Sequence, residues 1–504
     1  MLVECLIVFI GVLIIYQTWK KRDIYKLGRE LGSGIRTLPL IGHSYMFLGN
    51  VEARMKAFQA LGRDAIKSQN GLCSFWLGNY LYTMVAEPET AEFILKTTLQ
   101  KDDIMKMATI FIGNGSIFAP VSIWKPRRKV LIPTFGAKNM RHFLSIFTKH
   151  SSVLVEQLRK VADTGVMSAW KYFTAYTMDS IAATIGYEMH AQKDAGHPFL
   201  KAFDDGLGHC AKRLCSPWLH IDLLYNNLPI YKKLHKMKDY LWGFIKKLIE
   251  KKREEMKAED EIENTSATEE KQRTFLELLI RSSGGEDGYT DIEVIEESMV
   301  MLVAGNDTTA VASSFISVML SRFPEVQNKV YEELKHVFGE SDRVPTSEDL
   351  VRLKYLDAVI KETLRLYPPV PVITRKVEKE TNLPTGLKLV PQTGVIINIW
   401  ALHRNPRFWG DDAEQFRPER FLDTPLKHPA AYMPFSYGPR NCVGYHFAMT
   451  SMKTAMSAVL RRFRILPATQ PVNAEYPPLR LKFDLMMKDV DGCKIRLEQR
   501  NRTI

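Results

Sequence analysis

The apolar positions at the start of the chain form one nearly unbroken run. Residues 1–19 are apolar except at three positions, and Lys20, Lys21 and Arg22 follow at once. About 20 apolar residues are enough for a helix to cross a bilayer, and a basic cluster stays on the cytosolic side. We therefore predict a membrane anchor over residues 1–22, with the rest of the chain in the cytosol. A cleaved signal peptide is the alternative, but its positive charges would precede the apolar run.

The remaining pattern of apolar and polar positions predicts a mainly helical globule with a few short strands. Residues 32–50 are rich in glycine and proline and lack a helical period, so a hinge is expected over residues 23–50. Two short aromatic and β-branched runs within residues 71–86 predict a hairpin, because Gly78 and Asn79 separate them. Helices are expected within residues 137–190, 221–253 and 445–466, and further strands at 370–377 and 387–400.

A long apolar helix is expected over residues 292–323, and its uniform hydrophobicity predicts a place in the middle of the globule. Its centre nevertheless carries a glycine and four polar residues: Gly305, Asn306, Asp307, Thr308 and Thr309. Polar side chains inside a buried helix cost stability, so they require a reason. A threonine that bonds back to an upstream carbonyl and bends the helix is the structural reason. The functional reason is a groove at the bend that holds a small ligand and water, where Asp307 and Thr308 deliver protons.

A second unusual pattern, F-x-x-G-x-R-x-C-x-G, is formed by Phe435, Gly438, Arg440, Cys442 and Gly444. A buried structural cysteine is the simplest interpretation of a lone cysteine. Five specified residues at fixed spacing, however, occur by chance in such a chain with a probability on the order of 10⁻⁴. The surroundings suit a thiolate that ligates a metal. The glycines let backbone N–H groups approach the sulfur, Phe435 shields it from water, and Arg440 can meet an anionic group.

Composition and charge narrow the choice of partners. The 504-residue chain is 45% hydrophobic and 25% charged, which is ordinary for a globular protein with a large core. Its formal charge of +12 favours an anionic partner, such as a membrane surface or an acidic protein. No zinc-finger spacing or RNA-binding signature accompanies that charge, so no nucleic-acid partner is expected. The six cysteines form no C-x-x-C pair, which indicates a reducing compartment.

The cysteine loop is similar to the haem-binding loop of the cytochrome P450 family of haem-thiolate monooxygenases. Two further motifs carry the resemblance: W-x-x-x-R at residues 124–128 and A-G-x-D-T-T at residues 304–309. With the sequence K-E-T-L-R-L-Y-P-P around Glu362, they identify the chain as a family 4-like member of the arthropod type. The resemblance implies a single, mainly α, cytochrome P450-type fold with a small β-rich lobe over residues 51–504, preceded by the N-terminal transmembrane helix.

The same resemblance implies roles for individual residues. Cys442 ligates the iron of a haem b, and Thr308 and Asp307 deliver protons. The haem is held without a covalent bond, because Ala304 replaces a glutamate that many family 4 members carry and that can become ester-linked to the haem. The propionates are contacted by Trp124, Arg128, Arg375 and Arg440, while Phe435 and Gly438 shape the cysteine loop.

Two expectations concern local structure. The W-x-x-x-R pair lies on one face of a helix, and Pro126 can only begin that helix because it lacks a backbone N–H. The resemblance also implies a buried network of Glu362, Arg365 and Arg420. Removal of one partner would leave a buried charge uncompensated and block haem incorporation.

The implied reaction inserts one oxygen atom of O₂ into a lipophilic small molecule. Electrons would come from NADPH through an NADPH–cytochrome reductase, with cytochrome b5 as a further candidate partner. The expected location is the endoplasmic reticulum membrane, with a single span and a cytosolic catalytic domain. We expect an apolar cavity lined by Phe111, Ile117, Phe118, Val303 and Ala304. Such a lining favours a lipophilic substrate but does not distinguish among fatty acids, hormones, odorants and xenobiotics.

Three other functions remain open on the sequence alone. A haem-thiolate isomerase or dehydratase would need neither O₂ nor a reductase, although such enzymes often lack an acid–alcohol pair such as Asp307-Thr308. A haem-binding sensor or carrier would show no turnover. A membrane-anchored basic scaffold would hold no haem.

Overall fold

A computed structural model of the chain describes residues 19–194, 197–263, 274–283, 288–470 and 476–500, together with Glu4 and Tyr16. Most of the anchor predicted over residues 1–22 lies outside the described residues. The first described helix, α1 (Arg22–Leu31), buries Ile24 and Leu27. Part of the segment expected as a hinge is thus helical, and the division into anchor, hinge and catalytic domain stays a prediction.

Helices make up most of the described chain, as the sequence pattern predicts. The predicted segments 137–190, 221–253 and 445–466 hold α5, α6, α8, α9 and α18 of the following series, but residues 463–466 belong to a strand rather than to the predicted helix. After α1 come α2 (Ala53–Lys67), α3 (Pro88–Thr97), α4 (Val121–Thr134), α5 (Ala137–Arg159), α6 (Ala169–Ile185), α7 (Pro198–Leu214), α8 (Asp222–Tyr225), α9 (Pro229–Glu263), α10 (Phe275–Arg281), α11 (Asp291–Arg322), α12 (Pro324–Phe338), α13 (Ser347–Arg352), α14 (Lys354–Leu366), α15 (Ile399–Leu402), α16 (Pro406–Trp409), α17 (Arg420–Asp423) and α18 (Tyr445–Leu460). Short 3₁₀ turns are Ser44–Phe47, Asp103–Ala108, Pro217–Leu219 and Pro429–Ala431.

The strands form small sheets at the edge of the helical body. They are β1 (Leu72–Leu77), β2 (Tyr80–Val85), β3 (Val166–Ser168), β4 (Val372–Val377), β5 (Thr381–Asn382), β6 (Lys388–Leu389), β7 (Thr393–Asn398), β8 (Phe463–Pro467), β9 (Leu481–Asp484), β10 (Met486–Asp489) and β11 (Lys494–Gln499). The largest sheet has the order β1-β2-β7-β4, and the others are β3-β11-β8, β9-β10 and β5-β6. β1 and β2 are antiparallel, with Leu72 opposite Val85, which confirms the hairpin predicted around Gly78 and Asn79.

The central helix α11 organises the helical body. It begins with a capping box, in which Thr290 and Glu293 each accept the backbone N–H of the other. It packs against α6, α14 and α18, and most of its residues from Val294 to Ser321 are buried. Within the described chain it is the one helix long and apolar enough to span a bilayer. However, 83% of its most apolar window is buried in the globule, so it serves as a core helix.

The prediction that Pro126 begins a helix is wrong. α4 starts at Val121, and Pro126 lies inside it, on the exposed side. An internal proline removes one hydrogen bond to the preceding turn. The helix continues because its opposite face is buried through Trp124, Arg127 and Leu131, so tertiary packing outweighs the preference of one residue.

A buried ion-pair network joins α14 to the segment that precedes the cysteine loop. Glu362 accepts hydrogen bonds from Arg365 at 2.7 and 2.8 Å and from Nε of Arg420 at 3.0 Å. Glu362 and Arg365 are both 0% exposed. The predicted network is therefore present, and its pairing offsets the cost of burying three charges.

The network reaches the cysteine loop through a neutral histidine. Arg365 donates to the carbonyl oxygen of His403 at 2.8 Å, and Nδ1 of His403 lies 3.1 Å from the carbonyl oxygen of Arg365. Nε2 of His403 accepts the backbone N–H of Met433 at 2.9 Å, so the proton of the ring is on Nδ1. Burial lowers the pKa of His403 to about 3, which keeps the ring neutral. Met433 lies two residues before Phe435, the first residue of the cysteine motif.

We expect Glu362→Gln to lower the free energy of unfolding by about 3–5 kcal/mol, because two buried guanidinium groups lose their only shared carboxylate partner. Chemical denaturation of the purified protein measures this. Glu340 is the matched control, since Glu340 and Arg343 have the same spacing but Glu340 is exposed and Arg343 pairs with Asp349. Glu340→Gln should stay within about 0.5 kcal/mol of the parent. Equal effects of the two substitutions would contradict a stabilising role of the network.

Candidate functional site

The cysteine loop is closed by its own backbone. The N–H of Cys442 donates to the carbonyl oxygen of Phe435 at 2.9 Å, and the N–H of Asn441 donates to that of Gly438 at 3.0 Å. Gly438 has a φ of +73°, and a Cβ at this position would lie 2.6 Å from the carbonyl oxygen of Leu95. The loop therefore requires glycine at position 438, as the sequence pattern predicts.

Cys442 differs chemically from the other described cysteines. It lines an internal cavity and is accessible from it, whereas Cys73, Cys210, Cys215 and Cys493 are buried. Desolvation inside the protein raises the pKa of Cys442, while the N–H of Gly444 and the charge of Arg128 act in the opposite direction. α18 begins at Tyr445, so the positive end of a helix dipole also favours negative charge near the sulfur.

α11 forms a second wall of the cavity that Cys442 lines. Ala304, Gly305 and Thr308 belong to this wall, and the Thr308 hydroxyl donates to the carbonyl oxygen of Ala304 at 2.7 Å. A Cβ at Gly305 would lie 2.5 Å from Cδ1 of Ile181, so the glycine permits close packing of α6. The back-bonded threonine expected on structural grounds is therefore present. Its oxygen retains the ability to accept a hydrogen bond from a group in the cavity.

Asp307 lies behind the cavity wall and does not line the cavity. It is 1% exposed, and its Oδ1 lies 2.9 Å from Nζ of Lys488 in β10. Lys488 also donates to Asp204 of α7 at 2.7 Å. Burial raises the pKa of Asp307, although Lys488 acts in the opposite direction. The structure thus separates the two residues predicted to deliver protons: Thr308 faces the cavity, and Asp307 faces a buried lysine.

The cavity has a volume of about 400 Å³ and a mostly apolar lining. Residues from the loop before α4, from α11 and from the tip of the β9–β10 hairpin contribute to it. The five residues expected from the sequence all line it: Phe111, Ile117, Phe118, Val303 and Ala304. Such a lining favours a lipophilic occupant, because apolar surface leaves water on binding.

One rim of the cavity is strongly cationic. Lys101, Arg128 and Arg440 line it, and none of the described lining residues is an aspartate or a glutamate. The Arg440 guanidinium lies 4.7 Å from the centre of the Trp124 ring, and that of Arg128 lies 5.8 Å from it. Arg375 does not line the cavity, but its charge acts on Lys101 and Arg440. We call Lys101, Arg128, Arg375 and Arg440 the cationic rim.

Arg375 is a fully buried member of the cationic rim. It is 0% exposed, and its NH1 donates to the carbonyl oxygen of Thr374 at 2.8 Å. Its Nε and NH2 have no hydrogen-bond partner in the described part of the chain. Burial lowers the pKa of Arg375 to about 10, and burial and the neighbouring arginines lower that of Arg440 to about 9. An anionic group at the rim would satisfy these cations.

Arg440 and Arg128 are also tied to backbone groups around the site. Arg440 donates to the carbonyl oxygens of Leu99, Ser116 and Ala119 at 3.0, 3.2 and 3.0 Å. Both terminal nitrogens of Arg128 donate to Asn441, at 2.8 Å to its carbonyl oxygen and at 2.6 Å to its Oδ1. Arg128 therefore fastens α4 to the cysteine loop in addition to lining the cavity.

Lys101 is the rim residue that sequence reasoning missed. It stands directly before Asp102 and Asp103, so the sequence suggests a solvated run of charges. Asp102 instead turns inward to accept hydrogen bonds from Tyr80 and Tyr82 at 3.1 and 3.0 Å. Lys101 then faces the cavity, and desolvation lowers its pKa well below the usual range. No local pattern signals this orientation, because it depends on the packing of β2 against the loop.

The sequence was compared with those of known proteins. The sequence model of the family described as Cytochrome P450 matches residues 35–489. The chain belongs to the cytochrome P450 family. Cytochrome P450 4V2 of Homo sapiens is 32% identical over 483 residues, covering 94% of this chain and 90% of that protein. Cytochrome P450 4d2 of Drosophila melanogaster is 30% identical over 495 residues, covering 96% and 95%. Cytochrome P450 4c21 of Blattella germanica is 28% identical over 506 residues, covering 98% of both chains.

These similarities confirm the family and the family 4 resemblance, and they extend to human and insect proteins alike. This cytochrome P450 is accordingly a haem monooxygenase, and its family implies a haem whose iron is ligated by a cysteine. The cavity fits that group. The two unpartnered nitrogens of Arg375 and the cationic rim suit two propionates, since none of the described lining residues is a carboxylate. Of the two described cysteines that line the cavity, Cys442 is accessible and Cys215 is buried.

We expect the cationic rim to discriminate between haem and haem dimethyl ester, in which the propionates carry no charge. The apoprotein should bind the ester about tenfold more weakly or worse, because charge-assisted hydrogen bonds are lost. Arg375→Leu should bring the two affinities closer, whereas Lys129→Leu, at an exposed position of α4, should leave their ratio unchanged. Titration followed by absorbance measures both affinities. An unchanged ratio in Arg375→Leu would exclude Arg375 as a propionate contact.

Proposed function

We propose that this cytochrome P450 inserts one oxygen atom from O₂ into a lipophilic small molecule, with Cys442 as the ligand of the haem iron. The observation that carries the proposal is one cavity lined by an accessible cysteine, by the polar segment of α11 and by apolar side chains. When bound, a haem with a cysteine thiolate on its iron activates molecular oxygen for insertion into a C–H bond. The residues of this chain position that group, exclude water and supply protons.

We assign the last step of proton delivery to Thr308. At rest its hydroxyl donates to the carbonyl oxygen of Ala304, and its oxygen can accept a hydrogen bond from the cavity. In delivery the hydroxyl turns from Ala304 toward the cavity, gives its proton to the acceptor and takes another from a water. Asp307, Lys488 and Asp204 provide a charged connection behind it that leads toward the surface, because the Asp204 side chain is 47% exposed. Asp307 lies next to the polar segment of α11, where burial raises its pKa and Lys488 lowers it.

The substrate class that this cavity supports is a lipophile of the fatty-acid, hormone, odorant or xenobiotic kind. Phe111 and Phe118 come from the loop before α4, and Leu485 comes from the β9–β10 hairpin. Leu485 has a φ of +61°, which places the tip of that hairpin against the cavity. Residues from separate loops therefore determine the shape of the space, as is usual for specificity.

Electrons are proposed to come from NADPH through a membrane-bound reductase, with cytochrome b5 as a second candidate donor. α4 contacts the cysteine loop through Arg128, and Lys125 and Lys129 of the same helix are exposed. Arg141 of α5 is exposed as well. A basic surface beside the iron ligand suits an acidic docking partner, since complementary charge accelerates encounter.

We further propose a single-pass anchor over residues 1–22 in the endoplasmic reticulum membrane, with the catalytic domain in the cytosol. Nζ of Lys21 lies 3.4 Å from the carbonyl oxygen of Asn79, in the turn of the β1–β2 hairpin. Two segments with exposed apolar side chains lie next to this turn. The N–H of Gly78 donates to the carbonyl oxygen of Ile41 in the first segment, and Gly78 lies against Pro217 in the second. Their most exposed apolar side chains are Leu40, Ile41, Trp218, Ile221 and Leu223. An apolar surface next to the basic end of the anchor is suited to contact with lipid.

The decisive experiment is a reduced carbon monoxide difference spectrum. The purified protein should show the strongly red-shifted Soret band of a thiolate complex. Cys442→Ser should lose it, because a serine hydroxyl is not a thiolate donor. Cys215→Ser is the matched control, since Cys215 also lines the cavity, and it should keep the band. Retention of the band in Cys442→Ser would refute the assignment of the iron ligand.

Thr308→Ala should uncouple the reaction. NADPH is expected to be consumed at a similar rate while oxygenated product falls by about 10-fold or more and hydrogen peroxide appears, because proton delivery contributes about 10²–10⁴ to such steps. Thr308→Ser keeps the hydroxyl and should restore most of the coupling. The measurement is the ratio of product to NADPH. Full coupling in Thr308→Ala would show that this hydroxyl does not deliver protons.

A further inference from the structure

Arg127, next to the rim residue Arg128, is enclosed by three glutamates of α11. Its NH2 lies 2.8 Å from Glu293, its NH1 lies 3.0 Å from Glu297, and both nitrogens lie 3.2 Å from Glu296. Arg127 and Glu296 are each 5% exposed, and Glu297 is 0% exposed. We call these four residues the Arg127 cluster. It joins the helix that carries Trp124 to the helix that carries Thr308.

Two of the glutamates also hold the loop of residues 113–119, which lines the cavity. Glu297 accepts the N–H of Ser116 on one oxygen and its hydroxyl on the other, each at 2.8 Å. Glu296 accepts the N–H of Asn114 at 2.7 Å. A Cβ at Gly113 would lie 2.3 Å from Oε1 of Glu296, so a glycine is needed for this close approach.

The opposite side of the same loop holds Arg440. The carbonyl oxygens of Ser116 and Ala119 accept hydrogen bonds from NH2 of Arg440 at 3.2 and 3.0 Å. Ser116 therefore contacts Glu297 through its N–H and hydroxyl, and Arg440 through its carbonyl oxygen. The position of this rim guanidinium depends on a backbone segment that Glu297 fixes.

The charge of the cluster explains why an arginine is needed at position 127. Three carboxylates face one guanidinium, and the ring centre of Tyr289 lies 5.9 Å from the guanidinium of Arg127. Burial raises the pKa of Glu297, while Ser116 and Arg127 act in the opposite direction. A neutral residue at position 127 would leave buried carboxylates without a counter-charge.

We propose that Glu297 is a positioning residue for the cationic rim: it fixes Ser116, and Ser116 fixes Arg440. The part of this inference that concerns haem rests on the proposed function, whereas the ordering of loop 113–119 does not. Glu297 touches neither the cavity nor the cationic rim, so it acts only through the loop.

The test compares Glu297→Asp with Glu293→Asp. In both variants the side chain that pairs with Arg127 keeps its carboxylate and becomes one methylene shorter. The variants differ because Glu293 contacts no residue of loop 113–119. Hydrogen exchange of peptides covering residues 113–119 is measured in the protein as purified. Haem retention is measured as the rate of haem transfer to excess apomyoglobin. We expect Glu297→Asp to raise the exchange rate and the transfer rate about tenfold, and Glu293→Asp to leave both within about twofold.

Two further variants guard against a general loss of structure. Glu297→Gln keeps an acceptor for the N–H of Ser116 and a donor for its hydroxyl, so exchange and haem transfer should remain close to those of the parent. Ser116→Ala removes only the hydroxyl bond and should raise exchange by a few-fold. The proposal is overturned if Glu297→Asp matches the parent in loop exchange, or if Glu293→Asp matches Glu297→Asp. Faster loop exchange without faster haem transfer would overturn the claim that Ser116 fixes Arg440. Failure of the thiolate spectrum would instead reject Cys442 as the ligand and leave the exchange result intact.

Discussion

The pairing of Glu362 with two arginines is the interaction on which the rest of this structure depends. The charged groups of Glu362, Arg365 and Arg420 are buried, so the fold is stable only if each of them is paired. The network also determines where the cysteine loop lies. Arg365 donates to the carbonyl oxygen of His403, and His403 accepts the N–H of Met433, just before the cysteine motif. The location of the thiol is thereby set from the interior of the protein.

Two groups of charged residues near the cavity are unbalanced in opposite directions, and each imbalance has a consequence. The cationic rim contains four cations and, among the described lining residues, no carboxylate, so it is complete only with an anionic ligand. The Arg127 cluster has the reverse imbalance, with three carboxylates around one guanidinium. The cations of the rim can therefore bind an anionic group from outside the chain. The Arg127 cluster uses its excess carboxylate oxygens to hold backbone N–H groups of a loop, which needs no external ligand.

Periodicity and turn signals predicted the helical body and the β1–β2 hairpin, because each depends on local spacing. The family resemblance, rather than spacing, implied the Glu362 network. Three features could not be predicted in this way. Pro126 lies within α4 because burial of the opposite face compensates for it. Lys101 faces the cavity because Asp102 is held by two tyrosines of β2. Asp307 pairs with Lys488, which is 181 residues away in sequence, and such long-range partners leave no local signal.

Ala304 gives the geometry of the cationic rim a central place in the proposed non-covalent binding of haem. An alanine offers no carboxyl group for a covalent link to a haem, so we propose that the axial ligand, the apolar contacts and the propionates retain the cofactor. Polar contacts of this kind are strongly directional, and displacement by a fraction of an ångström weakens them. A chain that relies on such contacts must fix its arginines firmly. The carbonyl oxygens of Ser116 and Ala119 do this for Arg440, and Glu297 in turn fixes Ser116 from the central helix.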